Sequence, residues 1–141
     1  METKVILLSI RPKYAEKIFN GTKRVELRRV MPNLKEGDTI FVYVSSPVKE
    51  LRGHFEVEKV VKKPIDKLWL QVKQDIGITE EEFYEYYTGV EYGFGIYLRA
   101  PASIRSPISL DRLRKLWKNF HPPQNYRYIS KLEFEIMTAA I

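Results

Sequence analysis

The chain contains no cysteine and only two histidines, His54 and His121, which stand far apart. Disulfides, thiolate zinc sites, iron–sulfur ligation and a cysteine nucleophile are excluded, and neither a histidine-centred triad nor a protein-built transition-metal site is expected. Long apolar runs are missing as well. The longest near the start, Val5 to Leu8, falls far short of the roughly 20 residues that cross a bilayer. Lys4 and Arg11 flank it too closely for a secretion signal, so the sequence reads as cytoplasmic, with no membrane partner. There is no repeat, low-complexity tract or linker. What is present is 141 residues, 44% of them hydrophobic, enough to fill one core, and residues 1–141 are read as a single domain.

Lys and Arg number 24 against 18 Asp and Glu, a net charge of +6. The excess favours an anionic partner, and its placement says more. Residues 1–30 hold eight basic and three acidic side chains, and residues 103–131 hold seven basic and one acidic. Between them, Asp75 to Tyr92 has six acidic residues and no basic one. If the two ends meet in the fold, the molecule presents one positive face suited to phosphates; otherwise these charges are solvated surface.

Lys4 to Ser9 reads as a buried strand. Pro12 opens a helix with Tyr14, Ala15, Ile18 and Phe19 on its apolar side, stopped by Asn20-Gly21. Lys23 to Arg29 alternates, with Val25 and Leu27 pointing one way and Arg24, Glu26 and Arg28 the other. A turn at Asn33 to Asp38 leads to a strand from Thr39 to Val44, and Leu51 to Val61 continues the sheet, with Gly53 marking a bulge. Helices are expected after Pro64 and after the capping-box pair Thr79 and Glu82, followed by a strand from Tyr92 to Leu98. Ser109 caps a helix carrying Leu110, Leu113, Leu116, Trp117 and Phe120 as far as Pro122-Pro123, and Ser130 with Glu133 favours one more, although Leu132, Phe134 and Ile136 also alternate as a strand would. Gly-kinked strands mixed with helices outside a βαβ rhythm point to an α+β fold, a small curved sheet or β-barrel with flanking helices.

Chemistry concentrates in Gly21 to Arg28. Glu26 and Arg28, two apart on a strand, share a face, and Lys23 enters from the turn before it. Such a cluster can hold a phosphate and read a base edge; the competing reading is an exposed ion-pair network of little energetic value. Arg24 and Arg28 would lower the Lys23 pKa and Glu26 would raise it. A second cluster follows Pro122-Pro123. There Gln124 and Asn125 can pair with base edges, Tyr126 and Tyr128 can stack on bases, and Arg127 can meet a phosphate, unless the aromatics simply pack on the core.

The run from Leu8 to Arg28 resembles the start of the ASCH (activating signal cointegrator homology) domain. That family's G-x-K-x-x-E-x-R motif is matched by Gly21, Lys23, Glu26 and Arg28, and Gly37-Asp38, Tyr43-x-Ser45-Ser46-Pro47 and Gly53 also look like it. The resemblance implies a PUA-like β-barrel, with a core over about residues 1–100 and a helical extension over about 101–141. It also implies a cleft beside the Lys-Glu-Arg cluster and roles in RNA or nucleotide handling. Some family members are amidohydrolases of N4-acetylcytidine and others are described as ribonucleases. In the amidohydrolase branch the lysine position falls on Lys23, the threonine position on Glu26, and the nearest candidate for its glutamate is Asp75.

The favoured reading is a module binding RNA or a modified nucleotide through Lys13, Lys17, Lys23, Arg24, Glu26, Arg28, Ser45, Ser46, Gln124 and Tyr126. The alternative is a hydrolase acting on RNA or a modified nucleoside, in which Lys23 and Glu26 act as acid and base, with Ser45 or Ser46 near the reacting group. A third reading, protein partners in transcription, follows from the family name. No metal or other cofactor is expected.

Overall fold

The computed structural model describes residues 3–31 and 33–141. β1 (Val5–Ile10) forms from the first apolar run, and α1 (Pro12–Phe19) begins at the proline, whose missing N–H costs nothing in a first turn. Gly21 adopts φ +85°, a conformation open to a residue without Cβ, and turns the chain into β2 (Val25–Arg28). Then come β3 (Thr39–Val44), β4 (Glu50–Pro64), α2 (Ile65–Val72), α3 (Glu80–Tyr86), β5 (Tyr92–Ser109), α4 (Leu110–Leu116), β6 (Tyr126–Tyr128) and α5 (Lys131–Ala139). Thr79 and Ser130 close capping boxes with Glu82 and Glu133, and Ser109 caps α4 by accepting from the Arg112 N–H. Among the described residues no helix is long and apolar enough to cross a membrane.

The strands form one curled half-barrel sheet, ordered β2-β5-β4-β3-β1-β6. The fold is α+β, as expected. Alternation in the strands divides the apolar side chains into three cores. Inside the curl, α1 inserts Ala15 and Ile18 against Ile6, Leu8, Val42, Phe55 and Ile96. Outside, α2 and α3 cover Val25 and Leu27 with Leu68, Val72 and Phe83, whereas α4 and α5 cover Leu7, Phe41 and Tyr43 with Leu113 and Met137.

The segment after residue 100 departs from the helical expectation. β5 does not end near Leu98 but continues to Ser109, still paired with β4. Neither Pro101 nor Pro107 occupies a paired position, because three register shifts fall along the ribbon, so the missing N–H groups leave no gap in the ladder. One shift lies at Gly53, where an added Cβ would stand 2.4 Å from the Ala102 carbonyl oxygen. The stretch after Pro123 includes β6, which pairs antiparallel with Ile6 to Leu8 of β1. This places the C-terminal segment at the sheet edge opposite β2.

Candidate functional site

β2 carries Glu26 and Arg28 on its inner face, since Glu26 pairs with the core residue Ile96 and side chains of opposed residues share a face. Curling brings this edge strand back toward the other edge of the sheet. Arg28 spans the seam, with Nη2 donating to the Asn125 carbonyl at 3.2 Å and to Asn125 Oδ1 at 3.4 Å, just before β6. Its Nη1 faces Glu26 Oε2 at 3.3 Å and the Ser9 carbonyl of β1 at 3.5 Å. Lys23 Nζ lies 3.6 Å from the other carboxylate oxygen of Glu26 and donates to the Ile76 carbonyl at 3.1 Å. The three charged residues are 3%, 5% and 7% exposed for Lys23, Glu26 and Arg28. This excludes the exposed ion-pair network. Charges so far out of water are tolerated only when paired and hydrogen-bonded, and the carbonyls of Ser9, Ile76 and Asn125 complete that pairing.

The cluster forms one wall of a cleft of about 260 Å³. Tyr14 of α1 lines it, with Lys23 Nζ 5.6 Å from its ring centroid, and Ile78 and Tyr86 close it from the α3 side. The Lys23 pKa lies below its ordinary value, chiefly because burial disfavours the ammonium; Glu26 opposes this and Lys17 adds to it. Burial therefore has the effect expected of Arg24 and Arg28. Tyr86 donates to the Leu27 carbonyl at 3.3 Å, and burial raises its phenol pKa. Tyr87 holds the end of β2 from the outside, bonded to the Arg28 and Phe94 carbonyls at 3.3 and 3.2 Å.

Of the residues predicted from sequence, Lys23, Glu26, Arg28, Ser45, Gln124 and Asn125 line this cleft together. The others do not. Lys13 pairs with Glu82 at 2.9 Å on the surface, and the Lys17 ammonium donates to the Gly77 carbonyl. Arg24 is exposed and borders a separate depression with Asp75 and Tyr97. Asp75 lies in that depression too, where its carbonyl receives the Arg24 and Val25 N–H groups at 2.7 and 3.0 Å; it does not supply a carboxylate to the cleft. Ser46 is exposed outside the cleft, and Tyr126 packs on the inner core. Arg127 is held by Glu133 at 2.5 Å and stacked 4.4 Å from the Trp117 ring, so it anchors α5 rather than facing the cleft. Ser9, Tyr14, Ile78 and Tyr86 were not predicted as site residues. Tyr14, Ile78 and Tyr86 read in the sequence as apolar packing residues, and only the tertiary fold brings them together with Ser9 at the cleft. Among the described residues no group of three or more metal-ligating side chains occurs.

The ASCH domain family profile matches residues 8–97, the stretch that holds the whole Lys-Glu-Arg wall. The chain belongs to the ASCH domain family. Across 132 residues it is 32% identical to a Zymomonas mobilis protein named ASCH domain-containing ribonuclease, a match covering 94% of this chain and 88% of that one. The crystal structure of ASCH from the same organism superposes with a TM-score of 0.92 at 30% identity, covering 98% and 96% of the two chains. Human THYN1, crystallised with DNA containing 5-methylcytosine, superposes with a TM-score of 0.62 at 12% identity, over 98% of this chain and 97% of that one. That likeness is one of fold. The ASCH fold here is PUA-like, with the sheet open as a half-barrel.

Proposed function

We propose that this ASCH domain binds single-stranded RNA and takes one nucleotide into the cleft. The observation that carries this reading is the charge inside the cleft wall, where two buried cations, Lys23 and Arg28, share one carboxylate, Glu26. The surplus positive charge has left bulk water, where its attraction for an anion is stronger than at an exposed site, and a phosphate fits that need. The cleft volume, about 260 Å³, lies just under the range of about 300–1,000 Å³ common for ligand pockets and suits one nucleotide rather than a duplex. Gln124 and Asn125 border it with amide groups that match base edges.

A second reading extends the first to cleavage and is favoured by the name of the Zymomonas mobilis relative, an ASCH domain-containing ribonuclease. In it the 2′-oxygen of the bound nucleotide attacks the adjacent phosphorus, and the bond to the 5′-oxygen breaks. The products are a 2′,3′-cyclic phosphate and a 5′-hydroxyl. Glu26 takes the 2′-proton and Lys23, an acid strengthened by burial, gives one to the leaving oxygen. Arg28 stabilises the charge of the transition state. The separation of 3.6 Å between Lys23 Nζ and Glu26 lets the proton return afterwards.

One assay tests both readings. Labelled single-stranded RNA is incubated with the full chain and with Lys23→Met, while binding is followed by anisotropy and products by mass spectrometry. Binding lost in the variant supports the site, and a cyclic phosphate formed only by the unchanged chain adds cleavage. Equal RNA binding by both proteins refutes the site.

A further inference from the structure

We infer that the inner sheet face beside the cleft carries a second nucleotide subsite, a stacking step built from Tyr92, Phe94 and Lys62 for the RNA strand leaving Arg28. The inference rests on the reading of the cleft as an RNA site. Arg28 pairs with Phe94 across β2 and β5, and Phe94 pairs with Lys62 across β5 and β4. Directly opposed residues present their side chains on one face, and Tyr92, two residues from Phe94, shares that face. Two strand spacings place the Lys62 position about 10 Å from Arg28, within reach of a neighbouring nucleotide.

The side chains there are assembled and unclaimed. Lys62 Nζ stands 5.3 Å from the Tyr92 ring centroid and 5.7 Å from that of Phe94. Tyr92 is 48% exposed, Lys62 is exposed and Phe94 is half-buried. Among the described residues Lys62 forms no salt bridge, so its charge is free for a phosphate. The same β4–β5 ribbon holds another lysine on an aromatic ring, Lys59 over Tyr97 at 4.5 Å. That pair lies on the opposite face, where Tyr97 packs against the core beneath α2 and α3 and its hydroxyl accepts from Gln71 at 3.0 Å. The outer pair serves packing. The inner pair adjoins the cleft and leaves a ring face open. An aromatic ring beside a cation is the arrangement that binds successive bases of a single strand without reading their sequence.

The test compares a long probe with one that fills only the cleft. Fluorescein-labelled octauridylate and uridine monophosphate are titrated against the full chain, Tyr92→Ala, Tyr92→Trp and Lys62→Ala, with melting curves to confirm the fold. Loss of one stack is expected to weaken octauridylate about five- to a hundredfold and to leave the mononucleotide unchanged, while tryptophan at 92 restores binding. Lys62→Ala is expected to lower the salt slope of octauridylate binding by about 0.7, one phosphate's share on a single strand. Octauridylate affinity unchanged in Tyr92→Ala, or a loss shared equally by the mononucleotide, overturns the subsite and leaves the cleft reading standing. Failure of the unchanged chain to bind either probe overturns both.

Discussion

Glu26→Gln keeps the shape of the buried side chain and removes the one negative charge between Lys23 at 3.6 Å and Arg28 at 3.3 Å. A single ion pair at such a distance is worth about 4 kcal/mol at the dielectric effective near a protein surface. Both attractions vanish in the variant, and the two cations are left facing each other. The loss is offset in part, because the carboxylate no longer has to be desolvated and the Gln carbonyl still accepts one hydrogen bond. The expected net destabilisation is about 3–5 kcal/mol, the usual result of breaking a buried pair from one side and a large share of the about 5–15 kcal/mol that holds a domain together. Urea unfolding at neutral pH, followed by circular dichroism with the slope m compared between the two proteins, measures it. Inorganic phosphate should raise the midpoint of the variant more than that of the unchanged chain, since an anion can replace the missing charge. A loss below about 1 kcal/mol, the range of screened surface pairs, would show that water reaches the cluster and would refute the argument from buried charge.

Two further outcomes follow from the same contacts. Burial holds the Lys23 pKa below its ordinary 10.5, so between the two values the unfolded chain binds more protons and the contribution of Lys23 makes stability rise with pH. Lys23→Met should abolish that rise. The Tyr86 and Tyr87 phenols, raised above 10 by burial, act oppositely, stabilising below pH 10 and losing that contribution above it, and subtracting the two pH–stability curves isolates Lys23. At Gly93 an added Cβ would stand 2.7 Å from the Tyr87 ring and 2.8 Å from Leu68. Gly93→Ala should therefore cost about 1–3 kcal/mol through overpacking. It should also weaken RNA binding, because Tyr87 holds the Arg28 and Phe94 carbonyls; calorimetric melting and anisotropy check the pair.

Local patterns were enough for most elements. Pro12, the Thr79–Glu82 and Ser130–Glu133 boxes and the alternation of Val25 to Arg28 each act within a few residues, so their structure is written in the adjacent sequence. The run Gly21-x-Lys23-x-x-Glu26-x-Arg28 likewise marked the centre of the candidate site. The β5 continuation past Pro101 and the pairing of β6 with β1 were not legible, because both depend on partners far away in the chain. A proline argues against a strand until the register shifts show that its N–H is not needed. The same holds for burial. Sequence spacing put Glu26 and Arg28 on one face and left open whether that face met water. The return of the sheet edge toward Ser9 and Asn125, which turned a charged face into a buried wall, came only with the tertiary fold. Side-chain direction follows a period of two within a strand, and desolvation follows what the rest of the chain lays over it.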